Sequence, residues 1–112
     1  MLIAVPTINQ EICLHFGHCD QFALVEVDEA TSSIVQITYE TPPPHEPGVL
    51  PRWLHEKGAN VILAGGLGQR AQKLFAEQGI EVVVGVSSGA PEEIVRDYVN
   101  RSLVTSQNPC DH

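Results

Sequence analysis

Basic residues are scarce in this chain. Its 112 residues include six Lys and Arg against fourteen Asp and Glu, a formal charge of −8. Nucleic acid and anionic membrane surfaces both call for basic patches. The six cations are scattered with no run among them, so neither is expected as the main partner. Long apolar runs are missing too. No segment approaches the roughly 20 apolar residues that cross a bilayer, and Met1-Leu-Ile-Ala-Val-Pro6, with no basic stretch before it, reads as a strand rather than a signal peptide. Cysteine is nearly absent: three in all, an odd number and a poor disulfide framework. Thiols kept reduced imply a cytoplasmic home. Catalytic signatures are also lacking. There is no G-x-S-x-G elbow and no Walker loop. The first strand carries no acid with which a nuclease could hold divalent metal. A nucleophile pair of Cys13 or Cys19 with His15 would have no third residue to orient it. The chain reads as a non-enzyme.

What is present is concentrated. Cys13-Leu14-His15-Phe16-Gly17-His18-Cys19 holds two of the three cysteines and two of the five histidines. Thiolate and imidazole at this density suit iron, zinc, copper or a metal–sulfur cluster, and Gly17 lets the backbone fold tightly around them. The spacing is neither Cys-x-x-Cys nor a ferredoxin run. The competing reading is a pair of buried cysteines, since the unbridged residue is among the most buried types. The third cysteine lies in Cys110-Asp111-His112, which repeats the Cys-x-His spacing of Cys13 and His15. Fitting the tail to the site is a matter of reach, and an unstructured terminus is the bland alternative.

The length suits one domain, expected over residues 1–104 with a polar tail over 105–112. Hydrophobic patterning predicts a buried first strand over Leu2–Pro6, ended by its proline, and then a long loop over Thr7–Asp20. Phe22–Asp28 and Ile34–Thr41 alternate as a hairpin, the second with Val35, Ile37 and Tyr39 on one face. The prolines of Thr41–Gly48 make a stiff loop carrying His45. A helix over Leu50–Lys57 ends at Gly58, with Trp53 in the core and His55 on a solvated face. Two strand–helix units follow. Val61–Ala64 leads through Gly65-Gly66-Leu67-Gly68 into Gln69–Gln78. Ile80–Val86 leads into a helix begun by Pro91, with Glu92 and Glu93 in its first turn and Arg101 in its last.

Such an order implies an α/β fold with right-handed parallel crossovers. A five-stranded mixed sheet of order 3-2-1-4-5, ribonuclease H-like, with helices on both faces satisfies it. If its second strand alone runs antiparallel, the loops Thr7–Asp20, Pro42–Gly48, Gly65–Gly68 and Ser87–Ala90 share the carboxyl edge, where open α/β sheets bind ligands. The glycine turn is not a dinucleotide fingerprint, but amides at a helix start favour an anion. A tight strand-to-helix connection explains its glycines equally well.

Together the residues resemble the dinitrogenase iron–molybdenum cofactor-binding domain, found in nitrogenase accessory proteins and small stand-alone relatives. The resemblance lies in the apolar first strand, His15-Phe16-Gly17, the Phe22 strand and the loop around His45. It is closest in Ala59-Asn-Val-Ile-Leu-Ala-Gly-Gly-Leu-Gly-Gln-Arg-Ala71 followed by Gly79-Ile80. It implies a ribonuclease H-like fold without nuclease activity and the carriage of a metal–sulfur cluster, iron–sulfur or with molybdenum. His15 and Gly17 would lie at the ligand edge, joined by His45, Gly65, Gly66 and Gly68. Metal ligands are then expected among Cys13, His15, His18, Cys19, Cys110 and His112. Three thiolates cannot make a four-cysteine site, so a non-cysteine ligand, an open position or a site shared across a homodimer follows. Partners would be proteins of cluster assembly or transfer. Two other readings stay open: a mononuclear zinc or redox-sensing interaction module, and a small anion binder with inert cysteines.

Overall fold

The computed structural model describes residues 1–13, 19–44, 48–86, 89–103 and 105. The strands are β1 (Leu2–Ile8), β2 (Glu11–Ile12), β3 (Gln21–Asp28), β4 (Ser33–Glu40), β5 (Val61–Leu63) and β6 (Glu81–Val83). The helices are α1 (Val49–Lys57), α2 (Gln69–Glu77) and α3 (Pro91–Val99). The main path of the sheet runs β4-β3-β1-β5-β6, with β2 paired to β1 off that path. β3 is antiparallel to both β1 and β4, whereas β1, β5 and β6 are parallel. The sheet is thus mixed and, among the described residues, has six strands where the sequence suggests five.

Period-2 patterning divides the core cleanly, because successive strand residues point to opposite faces. Ile3, Val5, Ala23, Val25, Val27, Val61 and Leu63 face α3 through its Ile94 and Val95. Their neighbours Ala4, Phe22, Leu24 and Ile62 face Leu50 and Leu54 of α1 and Phe75 of α2. Helices therefore cover both faces. Trp53 packs at the edge of the second cluster, its ring 5.7 Å from Phe22 and inclined by 70°. His55 is exposed, as a solvated helix face requires. Gly58 and Gly79 lie just past α1 and α2 at φ 89° and 76°, the left-handed values that helix ends favour.

Several sequence expectations need correction. Pro6 does not end β1, which continues to Ile8. A residue's N–H and C=O point to the same side of a strand, and the Pro6 carbonyl accepts from Cys13 N–H at 2.9 Å. Its missing donor therefore lies on the β5 side, where pairing has already stopped at Ala4 and Ile62, and the β3 ladder loses nothing.

The loop expected over Thr7–Asp20 contains a hairpin. Asn9 and Gln10, at φ 53° and 64°, form its two-residue turn. Such turns need positive φ at both positions, usually marked by Asn-Gly, and glutamine hides the signal. In β4 the alternation is broken by a bulge. Val27 pairs with Ile34 and Glu26 with Gln36, leaving Val35 out of register. The extra residue puts Ile34 on the α3 face with Ile37 and Tyr39, and Val35 is 61% exposed. The last strand is shorter than the span Ile80–Val86, covering Glu81–Val83. Arg101 lies beyond α3 at φ 59°, and Arg96 is the basic residue of its final turn.

Candidate functional site

β1, β4, β5 and β6 all run toward one edge of the sheet, and β3 starts there. Cys13 and Cys19 are held at that edge by the last residues of β1. Cys13 N–H donates to the Pro6 carbonyl and Asp20 N–H to the Thr7 carbonyl, both at 2.9 Å. Thr7 is fully buried, and its hydroxyl donates to the Gln21 carbonyl at 2.8 Å. Two adjacent residues of the central strand thus clamp both ends of the Cys13–Cys19 segment, one toward β5 and the other toward β3. Thr7 has no signature in the sequence, where it reads as the start of a loop.

Both cysteines are thiols. Cys13 is 3% exposed, and Cys19 is half-buried against the cluster that includes Phe22, Leu50 and Leu67. Burial pushes the Cys19 thiol up to about 11, with the charge of Cys13 adding to the effect. The two sulfurs therefore lie within each other's field. Between the ordinary value of 9.0 and about 11 the folded protein holds a proton that the unfolded chain releases. The corresponding stabilisation is full below that window and is lost as pH rises through it. Without metal, Cys19 should resist iodoacetamide near neutral pH and react readily only as pH nears 11. Peptide mapping of alkylated protein checks this, and rapid labelling of Cys19 near pH 8 would contradict it.

The loop is also tied to the opposite side of the edge. Ile12 N–H donates to the Gly89 carbonyl at 3.1 Å, linking β2 to the segment that opens α3. Gly89 sits at φ +135°, which side-chain-bearing residues rarely adopt, while a Cβ there would meet only ordinary contacts no closer than 3.7 Å. Gly89→Ala should therefore cost about 1–3 kcal/mol through backbone strain alone. An unchanged denaturation midpoint would contradict that assignment.

Gly65 and Gly66 are buried between β5 and α2, and Gly68 caps α2 in an extended conformation with open space beside it. The Gly65 carbonyl accepts from Gly85 N–H at 2.9 Å, and the Leu67 carbonyl from Gln72 Nε2 at 2.8 Å. The caps of α1, α2 and α3 are Gly48, Gly68 and Ala90, and none makes a side-chain capping bond. All three helices follow strands that end at this edge, so their N-terminal amides and positive dipole ends open there. Only α3 places acids, Glu92 and Glu93, in its first turn.

The structure thus brings Cys13, Cys19, Gly65, Gly66 and Gly68 to one edge. The other proposed ligands and loop residues, His15, Gly17, His18, His45, Cys110 and His112, lie outside the described residues, as do Ser87 and Ser88. Among the described residues no group of three or more His, Cys, Asp or Glu is placed to hold a metal ion. Two open clefts, of about 390 and 420 Å³, lie at the opposite edge around Met1, and no cysteine or histidine among the described residues lines them.

Residues 1–101 match the dinitrogenase iron-molybdenum cofactor family. The chain belongs to that family. Its similarity extends to an uncharacterized protein of Methanocaldococcus jannaschii, 29% identical over 85 residues that span 73% of this chain and 72% of the relative. Among solved structures, the crystal structure of PH0822 superposes with a TM-score of 0.83 at 27% identity, covering 95% of this chain and 96% of the other. The apo form of the orange protein from Desulfovibrio gigas shares the fold at a TM-score of 0.70 and 21% identity, with 96% and 94% covered. Membership in the family relates the chain to the handling of a metal cofactor. No helix among the described residues is long and apolar enough to cross a membrane.

Proposed function

We propose that this protein binds or carries a metal–sulfur cluster, iron–sulfur or iron–molybdenum cofactor-like, and is not a catalyst. The observation that carries the reading is the clamp of Cys13 and Cys19 onto Pro6 and Thr7 at the carboxyl edge, beside three helix starts without side-chain caps. Thiolates are soft ligands suited to iron–sulfur chemistry, and a cluster with its sulfides is an anion. Local amides and helix ends can favour an anion even on a chain of net charge −8. The donor chemistry therefore fits the cargo.

On this reading Cys13 and Cys19 supply thiolates, and His15 or His18 a nitrogen ligand or its support. His45 and the Gly65–Gly68 turn contact the cluster body, with Gly17 permitting a close approach of the backbone. Cys110 and His112 complete the set from the same chain or from the second chain of a homodimer. Both thiols must lose protons on ligation, so uptake releases acid and strengthens with pH. The frame would be a ribonuclease H-like sheet with the β2 hairpin added and without a nuclease's acids. The setting would be the cytoplasm, and the partners would be proteins that deliver or receive the cluster.

Anaerobic reconstitution tests this. Protein given iron and sulfide should gain visible absorption and bind both in fixed proportion. Stoichiometric zinc without sulfide, with unfolding on chelation, would replace the reading with a mononuclear module. A colourless protein that takes up neither metal would remove the metal reading altogether.

A further inference from the structure

The two outer strands of the sheet are not alike. β6 covers only Glu81–Val83 and opens on an acid. β4 is eight residues long, and Ser33-Ile-Val-Gln-Ile-Thr-Tyr39 holds no charge, proline or glycine. Proteins guard exposed strand edges with shortness, charge, proline, a bulge or a covering element. Among the described residues no strand lies beyond β4. Its one such guard is the bulge at Val35, and the register from Gln36 to Glu40 is unbroken.

The ladder decides which main-chain groups face outward. Val27 N–H donates to the Met1 carbonyl, so odd-numbered residues of β3 turn their N–H and C=O to β1 and even-numbered ones to β4. Thr38 and Glu40, level with Leu24 and Phe22, therefore bond to β3. The N–H and C=O of Ile37 and Tyr39 point away from the sheet.

We propose that β4 pairs antiparallel with β4 of a second copy, on a two-fold axis between the two Thr38 residues. Main-chain groups permit Ile37 to lie opposite Ile37, Tyr39 opposite Tyr39, or Ile37 opposite Tyr39. The first register runs through the bulge and sets Glu40 against Ile34. The second overlaps only Thr38–Glu40. The third pairs the unbroken stretch Gln36–Glu40 with itself. Thr38 then meets Thr38, Ile37 meets Tyr39 on both sides of the axis, and Gln36 meets Glu40 outside them. Threonine pairs and aromatic–β-branched pairs are favoured across antiparallel strands, and the Gln36 amide can donate to the Glu40 carboxylate. Glu40 is already held by Lys57 at 2.6 Å, so no unpaired charge enters the seam although each chain carries −8. The two Ile37–Tyr39 pairs exchange about four main-chain hydrogen bonds. An isologous contact of this size is closed by its symmetry and dissociates on dilution. The two-fold stands normal to the joined sheet, so the two carboxyl edges face opposite ways. Each chain keeps its own Cys13 and Cys19, and the pairing rests on no part of the cluster reading.

Sedimentation of the full-length, metal-free protein over a wide range of concentrations tests this. A monomer–dimer equilibrium is expected. Thr38→Lys sets two cations face to face on the axis and should raise the dissociation constant at least about tenfold, with the unfolding transition retained. Thr38→Cys gives a second readout. Opposed residues without main-chain bonds between them have Cα atoms about 4.5 Å apart, within disulfide range. Under oxidised glutathione this variant should yield a dimer linked through the two introduced thiols, identified by peptide mapping. Gln36→Cys, whose counterpart is Glu40, should not. A protein that stays monomeric at every concentration would overturn the pairing. So would a dimer that Thr38→Lys leaves intact, or equal linkage in the two cysteine variants. Slow hydrogen exchange at the Ile37 and Tyr39 amides of a monomer would assign the edge to another segment of the same chain and overturn it as well. None of these outcomes depends on metal uptake.

Discussion

Cys13→Ala combined with Cys19→Ser will abolish cluster uptake while leaving a folded protein. Alanine is chosen at Cys13 because that side chain is buried, and a serine hydroxyl there would need a partner of its own. Serine is tolerable at the half-buried Cys19. The backbone clamp uses only main-chain groups of Cys13, Pro6, Thr7 and Asp20 together with the Thr7 hydroxyl, so neither substitution removes a clamping bond. The loop stays anchored and loses its sulfurs. After anaerobic reconstitution, iron and sulfide should fall to background, with circular dichroism and the unfolding transition close to those of the parent. Full uptake by the double variant would move the site elsewhere and favour an anion binder built on the helix starts.

Phe22→Ala will be the most damaging single core change near the site. Phe22 is fully buried, meets Trp53 edge-on and lies in β3 between Pro6 of β1 and Glu40 of β4. Truncating a buried phenylalanine costs about 3–5 kcal/mol through lost burial and the cavity left behind. Domains of this kind are stable by only about 5–15 kcal/mol, so the loss is a large share. The denaturant midpoint should drop sharply with little change in slope. Phe22 directly follows Gln21, which accepts the Thr7 hydroxyl, so cluster retention should weaken as well. A midpoint shift worth less than about 1 kcal/mol would mean that the β3 anchor is not packed as described.

The residues that made the fold legible are those whose pattern has one structural solution. Ile3-Ala4-Val5 and Phe22–Val27 alternate between two cores, so helices on both faces followed from periodicity. The crossover from β5 through α2 to β6 then fixed the parallel order, and with it the edge to which Cys13 and Cys19 belong. Three local features stayed hidden for physical reasons. The turn at Asn9 and Gln10 adopts left-handed backbone without a glycine to announce it. Pro6 sits in a central strand because its missing donor falls on the side where β5 has already stopped pairing, away from the β3 ladder, a fact of pairing that composition does not carry. The Val35 bulge inverts the apparent faces of β4, since one extra residue moves every side chain before it. At the site, the candidate ligands stand out in the sequence because sulfur and imidazole are chemically distinctive. Thr7 and Gly89 were not, because their roles depend on a hydroxyl and a carbonyl acting across the chain.

The central claim is that a metal–sulfur cluster sits at the edge where β1 clamps Cys13 and Cys19. X-ray absorption at the iron edge of the anaerobically loaded, full-length protein tests it most directly. The account predicts a sulfur-dominated first shell and a metal–metal distance, both lost in the Cys13→Ala, Cys19→Ser variant. A first shell of only nitrogen and oxygen, with no metal neighbour, would contradict it.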